Sequence, residues 1–353
     1  SLGLVACGGT TESAGDNIKI GMMTDSGTID DKSFNQATWE GIKRYESENG
    51  TIVAQYIKPI GETTADYMQA ADDLITAGNQ MIIAPGFKFD EAITKLQEQY
   101  PDIKFVMIDG QPEEVAENTI AIYFAEHEAG FLAGITAALE TKTGKVGFIG
   151  GMKSESIEKF GYGYVAGVAY ANKHFGTNAE VVDYLYNGTF TDVAGGQAQA
   201  GSMYDKGIDI IFTAAGRVGS GVITEAKTRT EAGDKVYVIG VDVDQYEDGI
   251  YNQETNESVI LTSALKRVDN ASYTKVDEFI NGTFTGGEVI TMTAEVDGVG
   301  LPETNPNLTT ETQETVNELL ANIKAGNLVI PSTEADVQSF LSEMGYQGAK
   351  INF

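Results

Sequence analysis

The stretch Met81-Ile-Ile-Ala-Pro-Gly86 has a counterpart later in the chain, Ile210-Ile-Phe-Thr-Ala-Ala-Gly216. Each is followed by a second matching run, Lys104-Phe-Val-Met-Ile-Asp109 and Val236-Tyr-Val-Ile-Gly-Val-Asp242. Short apolar runs that alternate with amphipathic stretches are typical of parallel βαβ units. Because the pattern occurs in both halves, we predict an α/β protein with two Rossmann-like, doubly wound lobes built by right-handed crossovers.

The same alternation extends over the rest of the chain. It predicts strands at 18–23, 51–57, 81–84, 104–108, 119–123, 145–149, 180–185, 208–212, 236–240, 259–263 and 289–292. It predicts helices at 34–49, 64–77, 89–99, 156–172, 269–281 and 311–325, the last of these closing the fold. We expect the chain to pass between the lobes near Phe124 and Ser263. The N-terminal lobe is then 18–124 plus about 264–290, and the C-terminal lobe is 125–263 plus about 291–353.

Composition excludes several classes of partner. The chain has 353 residues, of which 52 are acidic and 23 basic, so its net charge is −29. Binding to nucleic acid or to anionic lipid needs clustered Lys and Arg, which this balance argues against. A hydrophobic content of 42% is sufficient for packed cores. No run of about 18 apolar residues is present, so we expect no membrane-spanning segment.

The residues available for catalysis are few. One cysteine and two histidines cannot form a structural zinc site, and Cys7 has no partner for an intrachain disulfide. Neither a nucleophile-elbow motif nor a phosphate-binding loop is present. The glycine-rich run Gly161-Tyr-Gly-Tyr-Val-Ala-Gly167 misses the dinucleotide fingerprint by one residue. We therefore expect a protein that is not an enzyme and that holds neither metal nor cofactor.

The N-terminus resembles a processing signal. Leu4-Val5-Ala6-Cys7 is similar to a bacterial lipobox, in which Cys7 is acylated. Residues 8–17 are polar and rich in Gly, Ser and Thr, as in a flexible tether. We predict that residues 1–17 are a signal remnant and tether that anchor the protein by lipid to the outer face of the cell membrane. The alternative is a disordered tail with an incidental thiol.

Two aspartates occupy equivalent positions in the predicted lobes. Asp109 and Asp242 each end a matching strand. In open parallel sheets ligands bind beyond the carboxyl ends of the strands, so both side chains are expected to face a cleft between the lobes. The alternative is that each aspartate only caps the helix that follows it.

The segment from Asp25 to Gln36 lies between the first predicted strand and the first helix. Asp25 ends the strand, and Asp31 or Ser33 can cap the helix. Phe34 and Asn35 in its first turn are expected to point into the cleft. An aromatic ring beside an amide suits a planar heterocycle, which stacks by its face and forms hydrogen bonds at its edge. Alternatively, Phe34 packs as a hydrophobic staple.

Asp30-Asp-Lys-Ser-Phe-Asn-Gln36 resembles the first-loop motif of the basic membrane protein family of bacterial substrate-binding lipoproteins, which includes purine nucleoside receptors of ABC importers. Further similar segments are Glu126-His-Glu-Ala-Gly-Phe-Leu-Ala-Gly134, Gly144-Lys-Val-Gly-Phe-Ile-Gly-Gly151, Phe160 to Gly167, Gly188-Thr-Phe-Thr-Asp192, Val238-Ile-Gly-Val-Asp242 and Leu261-Thr-Ser-Ala-Leu-Lys266. The resemblance implies a type I periplasmic-binding-protein fold joined by hinge strands, no catalysis, and an ABC permease as partner. Asp31 of the motif is included among the candidate ligand-binding residues.

The resemblance also implies how a purine nucleoside is held. The base lies between an aromatic ring from each lobe, here Phe34 and Phe190, with Phe160 as the competing candidate for the second ring. Gly216 lets the backbone approach the sugar.

The resemblance assigns polar contacts as well. Asp25, Asn35 and Asp109 read the edge of the base, and Asp242 accepts hydrogen bonds from the ribose hydroxyls with Lys266 beside it. Lys266 has another interpretation, a surface ion pair with Asp269.

The predicted cleft carries net negative charge, which favours a neutral ligand over a nucleotide. The leading hypothesis is a monomeric, lipid-anchored receptor that delivers purine nucleosides to an importer. A sugar or autoinducer receptor of the same fold is the alternative. A nucleoside hydrolase and a surface protein without ligand binding are further hypotheses.

Overall fold

The computed structural model describes residues 17–31 and 33–353, which form two α/β lobes. In chain order the strands are β1 (Ile18–Met23), β2 (Ile52–Ile57), β3 (Asn79–Pro85), β4 (Lys104–Ile108), β5 (Thr119–Phe124), β6 (Lys145–Gly150), β7 (Glu180–Tyr186), β8 (Ile210–Ala214), β9 (Tyr237–Asp242), β10 (Ile250–Asn252), β11 (Glu257–Ser258), β12 (Ile260–Lys266), β13 (Glu288–Met292) and β14 (Val299–Gly300). The helices are α1 (Phe34–Asn49), α2 (Thr64–Thr76), α3 (Asp90–Gln99), α4 (Glu126–Glu140), α5 (Glu155–Phe175), α6 (Val193–Asp205), α7 (Arg217–Glu231), α8 (Val268–Asn281), α9 (Thr310–Lys324) and α10 (Glu334–Met344).

Each lobe is built on a six-stranded sheet with the same order. The first sheet runs β13-β5-β4-β3-β1-β2, and all of its strand pairs are parallel. The second runs β14-β12-β9-β8-β6-β7, and only its β12–β14 pair is antiparallel. Helices cover both faces, so the central strands are apolar on both sides and almost wholly buried. The predicted fold class is confirmed.

The chain passes between the sheets at more than one place. It leaves the first sheet after β5 and enters α4, which packs on α5, β12 and α9. After β12 it returns to the first lobe, where α8 packs on α1. The Ser272 hydroxyl of α8 donates a hydrogen bond to the Thr38 carbonyl oxygen of α1 at 2.8 Å. It then passes from β13 in the first sheet to β14 in the second. These connections bring the carboxyl ends of β4 and β12 together.

The C-terminal region contains a helix that the sequence analysis does not predict. α10 follows α9 and packs on α5. Its start is marked by Thr333, whose hydroxyl accepts a hydrogen bond from the Asp336 N–H at 3.2 Å. This cap pattern is visible in the sequence, and the apolar residues Val337, Phe340, Leu341 and Met344 follow it at helical spacing, although only Val337 is fully buried.

The glycine-rich run 161–167 serves helix packing. Gly163 and Gly167 of α5 face α4, where a Cβ on Gly163 would overlap the carbonyl oxygen of His127. The relation is reciprocal, because a Cβ on Gly134 of α4 would overlap the carbonyl oxygen of Tyr164. The two helix backbones therefore approach more closely than any side chain allows, which accounts for the glycine spacing.

We expect Gly163→Ala to lower the free energy of unfolding by roughly 1–3 kcal/mol, since an inserted methyl group must push two helix backbones apart. The matched control is Gly219→Ala in α7, where the nearest atom to the added Cβ is Thr213 Cγ2 at an ordinary 3.4 Å. Alanine is intrinsically the better helix former by about 1 kcal/mol, so the control should be neutral or stabilising. Equal midpoints in thermal unfolding for the two variants would contradict this packing.

Candidate functional site

The loop before α1 is organised by the Asp31 carboxylate. It accepts hydrogen bonds from the backbone N–H groups of Ser33 at 2.9 Å, Gln36 at 3.1 Å and Asn35 at 3.2 Å. Ser33 occupies the N-cap position but makes no capping hydrogen bond with its side chain. Of the two predicted caps, Asp31 is the one that satisfies the free N–H groups of the first turn.

Asn35 is buried, with 2% of its surface exposed, and its amide is fully engaged. Nδ2 donates to Asp25 Oδ1 at 2.7 Å and to Asp31 Oδ2 at 2.9 Å, and Oδ1 accepts the backbone N–H of Asp25 at 3.1 Å. Both amide donors are therefore used within the protein. In this arrangement Asn35 orients Asp25, whose second oxygen, Oδ2, has no partner among the described residues.

The strand-end aspartates share an unusual backbone conformation. Asp109 follows β4 with φ 58°, and Asp242 ends β9 with φ 69°. Left-handed backbone is uncommon outside glycine, and aspartate is among the few residues that tolerate it. Strained positions of this kind concentrate at functional sites. Their occurrence at matching strand ends of the two sheets places both carboxylates at the edge where the lobes meet.

Lys266, at the end of β12, joins the lobes. Its ammonium donates to Asp109 Oδ2, lies 3.0 Å from Glu126 Oε1 and donates to Ser156 Oγ at 3.1 Å. The side chain is buried, with 4% of the residue exposed. Burial lowers the pKa of Lys266, but the carboxylates of Asp109, Glu126 and Asp242 outweigh it and raise that pKa well above its usual value. Lys266 is thus a permanent cation among carboxylates.

The alternative interpretation of Lys266, a surface ion pair with Asp269, is wrong. Asp269 pairs instead with Arg44 at 3.2 Å and with Arg267 at 3.0 Å. Because Lys266 is the last residue of a buried strand, its ammonium points into the space between the sheets, whereas Asp269 lies in the first turn of α8.

Glu126 and Ser156 are members of the site that the sequence analysis does not identify individually. Glu126 begins α4 with 2% of its surface exposed, and the Ser156 hydroxyl donates to its Oε1 at 2.9 Å. Burial raises the pKa of Glu126, and the charge of Lys266 opposes that shift. The sequence signal that could have identified Glu126 is an acidic residue at the start of a helix that is otherwise apolar. The segment Ala129 to Ala138 of this helix is buried.

Asp242 lies in the electrostatic field of this cluster. Burial raises the pKa of its carboxyl to about 6, Lys266 opposes the shift, and the carboxylates of Asp109, Glu126 and Asp31 add to it. Among the described residues, these carboxylates outnumber Lys266, so that part of the site carries net negative charge. A neutral ligand with hydroxyl or N–H donors suits these acceptors better than a phosphate does.

The aromatic candidates occupy different environments. Phe34 is half-buried, and its ring centroid is 5.8 Å from Lys266 Nζ, so the ring borders the charged cluster. Phe190 is also half-buried and lies in the loop between β7 and α6. A Cβ on Gly151 would overlap the Phe190 ring, and one on Gly216 would be 3.2 Å from the Phe190 carbonyl oxygen. Gly216, with φ 58°, thus lets two strand-end loops of the second lobe meet.

The prediction of Phe160 as a candidate for the second stacking ring is wrong. It is 1% exposed and packs edge-on against Phe212 with ring centroids 5.9 Å apart, inside the core of the second lobe. Its ring faces the sheet, while its carbonyl oxygen lies against Gly130 of α4. A ring in that position supports the fold and presents no face to a cleft.

Other site chemistry is limited in the part of the chain that the structure describes. Across residues 17–31 and 33–353, no three His, Cys, Asp or Glu side chains are grouped so as to hold a metal ion. In the same residues, none of the helices combines the length and apolar character needed to cross a membrane. Cys7, the predicted acylation site, lies outside the described residues.

Comparison with known proteins agrees with this geometry. The family model described as ABC transporter substrate-binding protein PnrA-like, Bmp, matches residues 18–334. The chain belongs to the Bmp family. Bmp proteins are substrate-binding components of ABC transporters, so the resemblance seen in the first-loop motif is confirmed.

Curated relatives of this Bmp protein match along almost the whole chain. The "ABC transporter nucleoside-binding protein BmpA" of Lactococcus lactis is 33% identical over 331 residues, covering 92% of each chain. "Basic membrane protein B" of Borreliella burgdorferi is 33% identical and covers 94% of this chain and 93% of its own length. The "CD4+ T-cell-stimulating antigen" of Listeria innocua is 35% identical, with coverage of 93% and 94%.

Solved structures place the same fold among solute-binding proteins. A protein described as belonging to the "ABC transporter system solute-binding proteins" from Aeropyrum pernix superposes with a TM-score of 0.74 at 25% identity. The alignment covers 93% of this Bmp protein and 97% of the other chain. AraP, an arabinose-binding protein from Geobacillus stearothermophilus, gives a TM-score of 0.60 at 14% identity, which shows a common fold only.

Proposed function

We propose that this Bmp protein binds purine nucleosides between its two lobes and delivers them to an ABC permease. The observation that carries the proposal is the meeting of Asp109 and Asp242, from matching strand ends, around Lys266. The name of the Lactococcus lactis relative as nucleoside-binding supports the ligand class. Phe34 and Phe190 supply the stacking faces, Asp25 and Asp109 accept from the base edge, and Asp242 accepts from the ribose hydroxyls.

The connections between the sheets are the proposed hinge. They follow β5 and β12 and link β13 to β14. We propose that they separate the two expected lobes. Closure on a nucleoside about these strands excludes water from the carboxylates, which strengthens their hydrogen bonds to neutral donors. We further propose that the protein acts as a monomer on the extracytoplasmic side of the membrane, anchored by acylated Cys7.

Replacing Phe34 tests the stacking role. Base–aromatic stacking contributes about 1–3 kcal/mol to binding. Phe34→Ala should therefore lower the affinity for adenosine, inosine and guanosine by roughly 5- to 150-fold in calorimetric titration. Trp39→Ala on the outer side of α1, where its ring contacts Tyr56, is the matched aromatic control and should leave affinity unchanged. Unchanged affinity of Phe34→Ala for every purine would exclude Phe34 from the site. Release of free base from the added nucleoside would instead indicate a hydrolase.

Nucleoside affinity is expected to rise with pH between 5 and 7. The pKa of Asp242 is raised to about 6, first by burial, with Lys266 opposing and Asp109, Glu126 and Asp31 adding. Only the ionised carboxyl makes charge-assisted hydrogen bonds to ribose hydroxyls, and its population increases about tenfold over this range. The affinity of the wild type for nucleosides should therefore increase several-fold from pH 5 to 7. The affinity of Asp242→Asn should not show this increase. Identical pH profiles for both proteins would contradict the assignment.

The raised pKa of Asp242 also makes the stability of the unliganded protein depend on pH, and this stability falls as pH rises. Asp242 binds its proton more tightly in the folded state than in the unfolded state, because its pKa is raised from 3.8 to about 6. Its contribution to stability is therefore present below about pH 4 and is lost as pH rises through 6. A bound nucleoside that donates to the ionised carboxyl offsets this loss.

A further inference from the structure

The segment that carries Asp109 has no regular structure of its own. Residues 109–118 link β4 to β5 without forming a helix or strand. Asp109 begins the segment in left-handed backbone, anchored by its N–H to the Ile122 carbonyl oxygen at 2.9 Å. A loop without regular structure does not by itself fix the direction of the Asp109 carboxylate. Residues that neighbour the loop must therefore hold the loop in place.

Helix α3 presents a row of polar side chains to this loop. Thr94 Oγ1 accepts the Glu113 N–H at 3.0 Å while it donates to the Asp90 carbonyl oxygen at 2.8 Å. Gln97 Nε2 donates to the Glu114 carbonyl oxygen at 2.7 Å.

The second atom of the Gln97 amide is used as well, because Oε1 accepts the Ala116 N–H at 3.2 Å. Asp90, Thr94 and Gln97 are spaced by four and three residues and so lie on one face of the helix. We call these three residues the polar stripe of α3. Each contact of the stripe is to backbone, so it fixes the path of the loop whatever the loop's side chains are.

Asp90 is the member of the stripe that is nearest to Asp109. The backbone of the turn packs against its carboxylate, because a Cβ on Gly110 would overlap Asp90 Oδ1. Oδ1 is buried and has no hydrogen-bond partner among the described residues. The turn after Asp109 is thus packed directly on this carboxyl group. A second support comes from β5, where the Tyr123 hydroxyl donates to Gln111 Oε1 at 3.2 Å.

We propose that the polar stripe of α3, with Asp90 as its leading member, positions Asp109 for its contacts with Lys266 and with the ligand. The part that concerns ligand rests on the proposed nucleoside function, and the part that concerns the loop does not. Asp90 is a positioning residue, because it acts through Asp109 and its Oδ1 is buried. Burial, which raises the pKa of Asp90 to about 6, is consistent with a carboxyl enclosed by the loop that it holds.

A favourable charge at the helix N-terminus is the competing explanation for Asp90. Glu91, the next residue, has the same claim on the helix dipole, but it is exposed and pairs with Lys95 at 3.2 Å. Glu91→Ala is therefore the matched control, since it removes an N-terminal charge without touching the loop.

The test compares Asp90→Ala, Thr94→Val and Glu91→Ala by amide hydrogen exchange, without any ligand. We expect at least tenfold faster exchange of the Gln111 amide in Asp90→Ala and of the Glu113 amide in Thr94→Val. Asp90→Asn keeps the shape of the side chain on which Gly110 packs and should restore slow exchange at Gln111. Glu91→Ala should match the wild type. Unchanged exchange at Gln111 and Glu113 in the stripe variants, or equal acceleration by Glu91→Ala, would overturn the proposal.

Affinity for adenosine supplies the second arm. Asp90→Ala should weaken binding about tenfold in the wild-type background and should add nothing in an Asp109→Ala background, because its effect passes through Asp109. Additive losses would overturn the positioning role. Absence of nucleoside binding by the wild type would reject the proposed function instead, and the exchange measurements would still decide whether the stripe holds the loop.

Discussion

Replacing Lys266 by methionine is expected to lower the free energy of unfolding by about 3–5 kcal/mol. Lys266 is the buried cation that Asp109, Glu126 and Ser156 share. Without it, the Glu126 carboxylate remains buried with no compensating charge, and removal of one partner of a buried ion pair typically has this cost. The loss should appear in urea unfolding at pH 7.

The size of the Lys266 effect should depend on pH and on Glu126. The pKa of Glu126 is already raised by burial, with Lys266 opposing, so acidification protonates this carboxyl and reduces the penalty in the variant. The double variant Lys266→Met/Glu126→Gln should recover part of the lost stability, as expected for coupled neighbours.

The control for Lys266→Met is an exposed pair. Lys95→Met removes the partner of Glu91, a contact of 3.2 Å between exposed side chains, and should cost less than about 1 kcal/mol. A loss for Lys266→Met as small as that of Lys95→Met would mean that the buried cluster is not charged as described.

Replacing Asp242 by alanine is expected to weaken nucleoside binding at least a hundredfold. Each hydrogen bond from a ribose hydroxyl to an ionised carboxylate contributes roughly 1.5–3 kcal/mol, and two such bonds are lost. Affinity for the free base should change much less, since the base makes no contact with this residue in the proposed complex. Calorimetric titration with adenosine and adenine measures both.

Two further variants separate charge from backbone effects at Asp242. Asp242→Asn tolerates the left-handed conformation, so it should retain the fold and show an intermediate loss of about tenfold. Asp244→Ala removes an exposed aspartate two residues further along and should leave affinity unchanged. Equal losses for nucleoside and free base in Asp242→Ala would reject the ribose contact.

The architecture follows from the sequence because its signals are periodic and duplicated. The predicted helix at 34–49 and strand at 104–108 have the observed bounds, and the other predicted elements agree to within a few residues. The repeated strand endings also placed Asp109 and Asp242 at equivalent positions, where they share left-handed backbone. Helix α10 was not predicted, although a threonine cap and apolar residues at 337, 340, 341 and 344 give the same periodic signal.

The choice between Phe160 and Phe190 shows which rule carries more information. Phe160 has a suitable ring within a family-like segment, yet it lies inside a helix at a packing position. Phe190 lies in a loop after a parallel strand, the position at which open sheets bind ligands. The position of a ring relative to the strand ends therefore distinguishes these two phenylalanines, and it is the reason that Phe190 stays the proposed second ring.

The polar partners could not be predicted from the sequence, because they depend on contacts between distant segments. Lys266 meets Asp109 from 157 residues away, and Ser156 from 110. Asn35 differs, because its partners Asp25 and Asp31 are local, yet the sequence alone does not reveal that they take both of its amide donors. Sequence spacing identifies the residue types at a site, whereas the assignment of donors and acceptors needs the folded arrangement.

The most direct test of a neutral-nucleoside site is a calorimetric titration with guanosine and with guanosine monophosphate. The protein is first unfolded to remove any bound ligand and is then refolded. Stacking together with charge-assisted hydrogen bonds predicts saturable binding of guanosine with a Kd below about 1 µM. The monophosphate should bind at least tenfold more weakly, because its charge meets carboxylates that outnumber Lys266. Equal or tighter binding of the monophosphate, or no saturable binding of any purine nucleoside, would contradict the account.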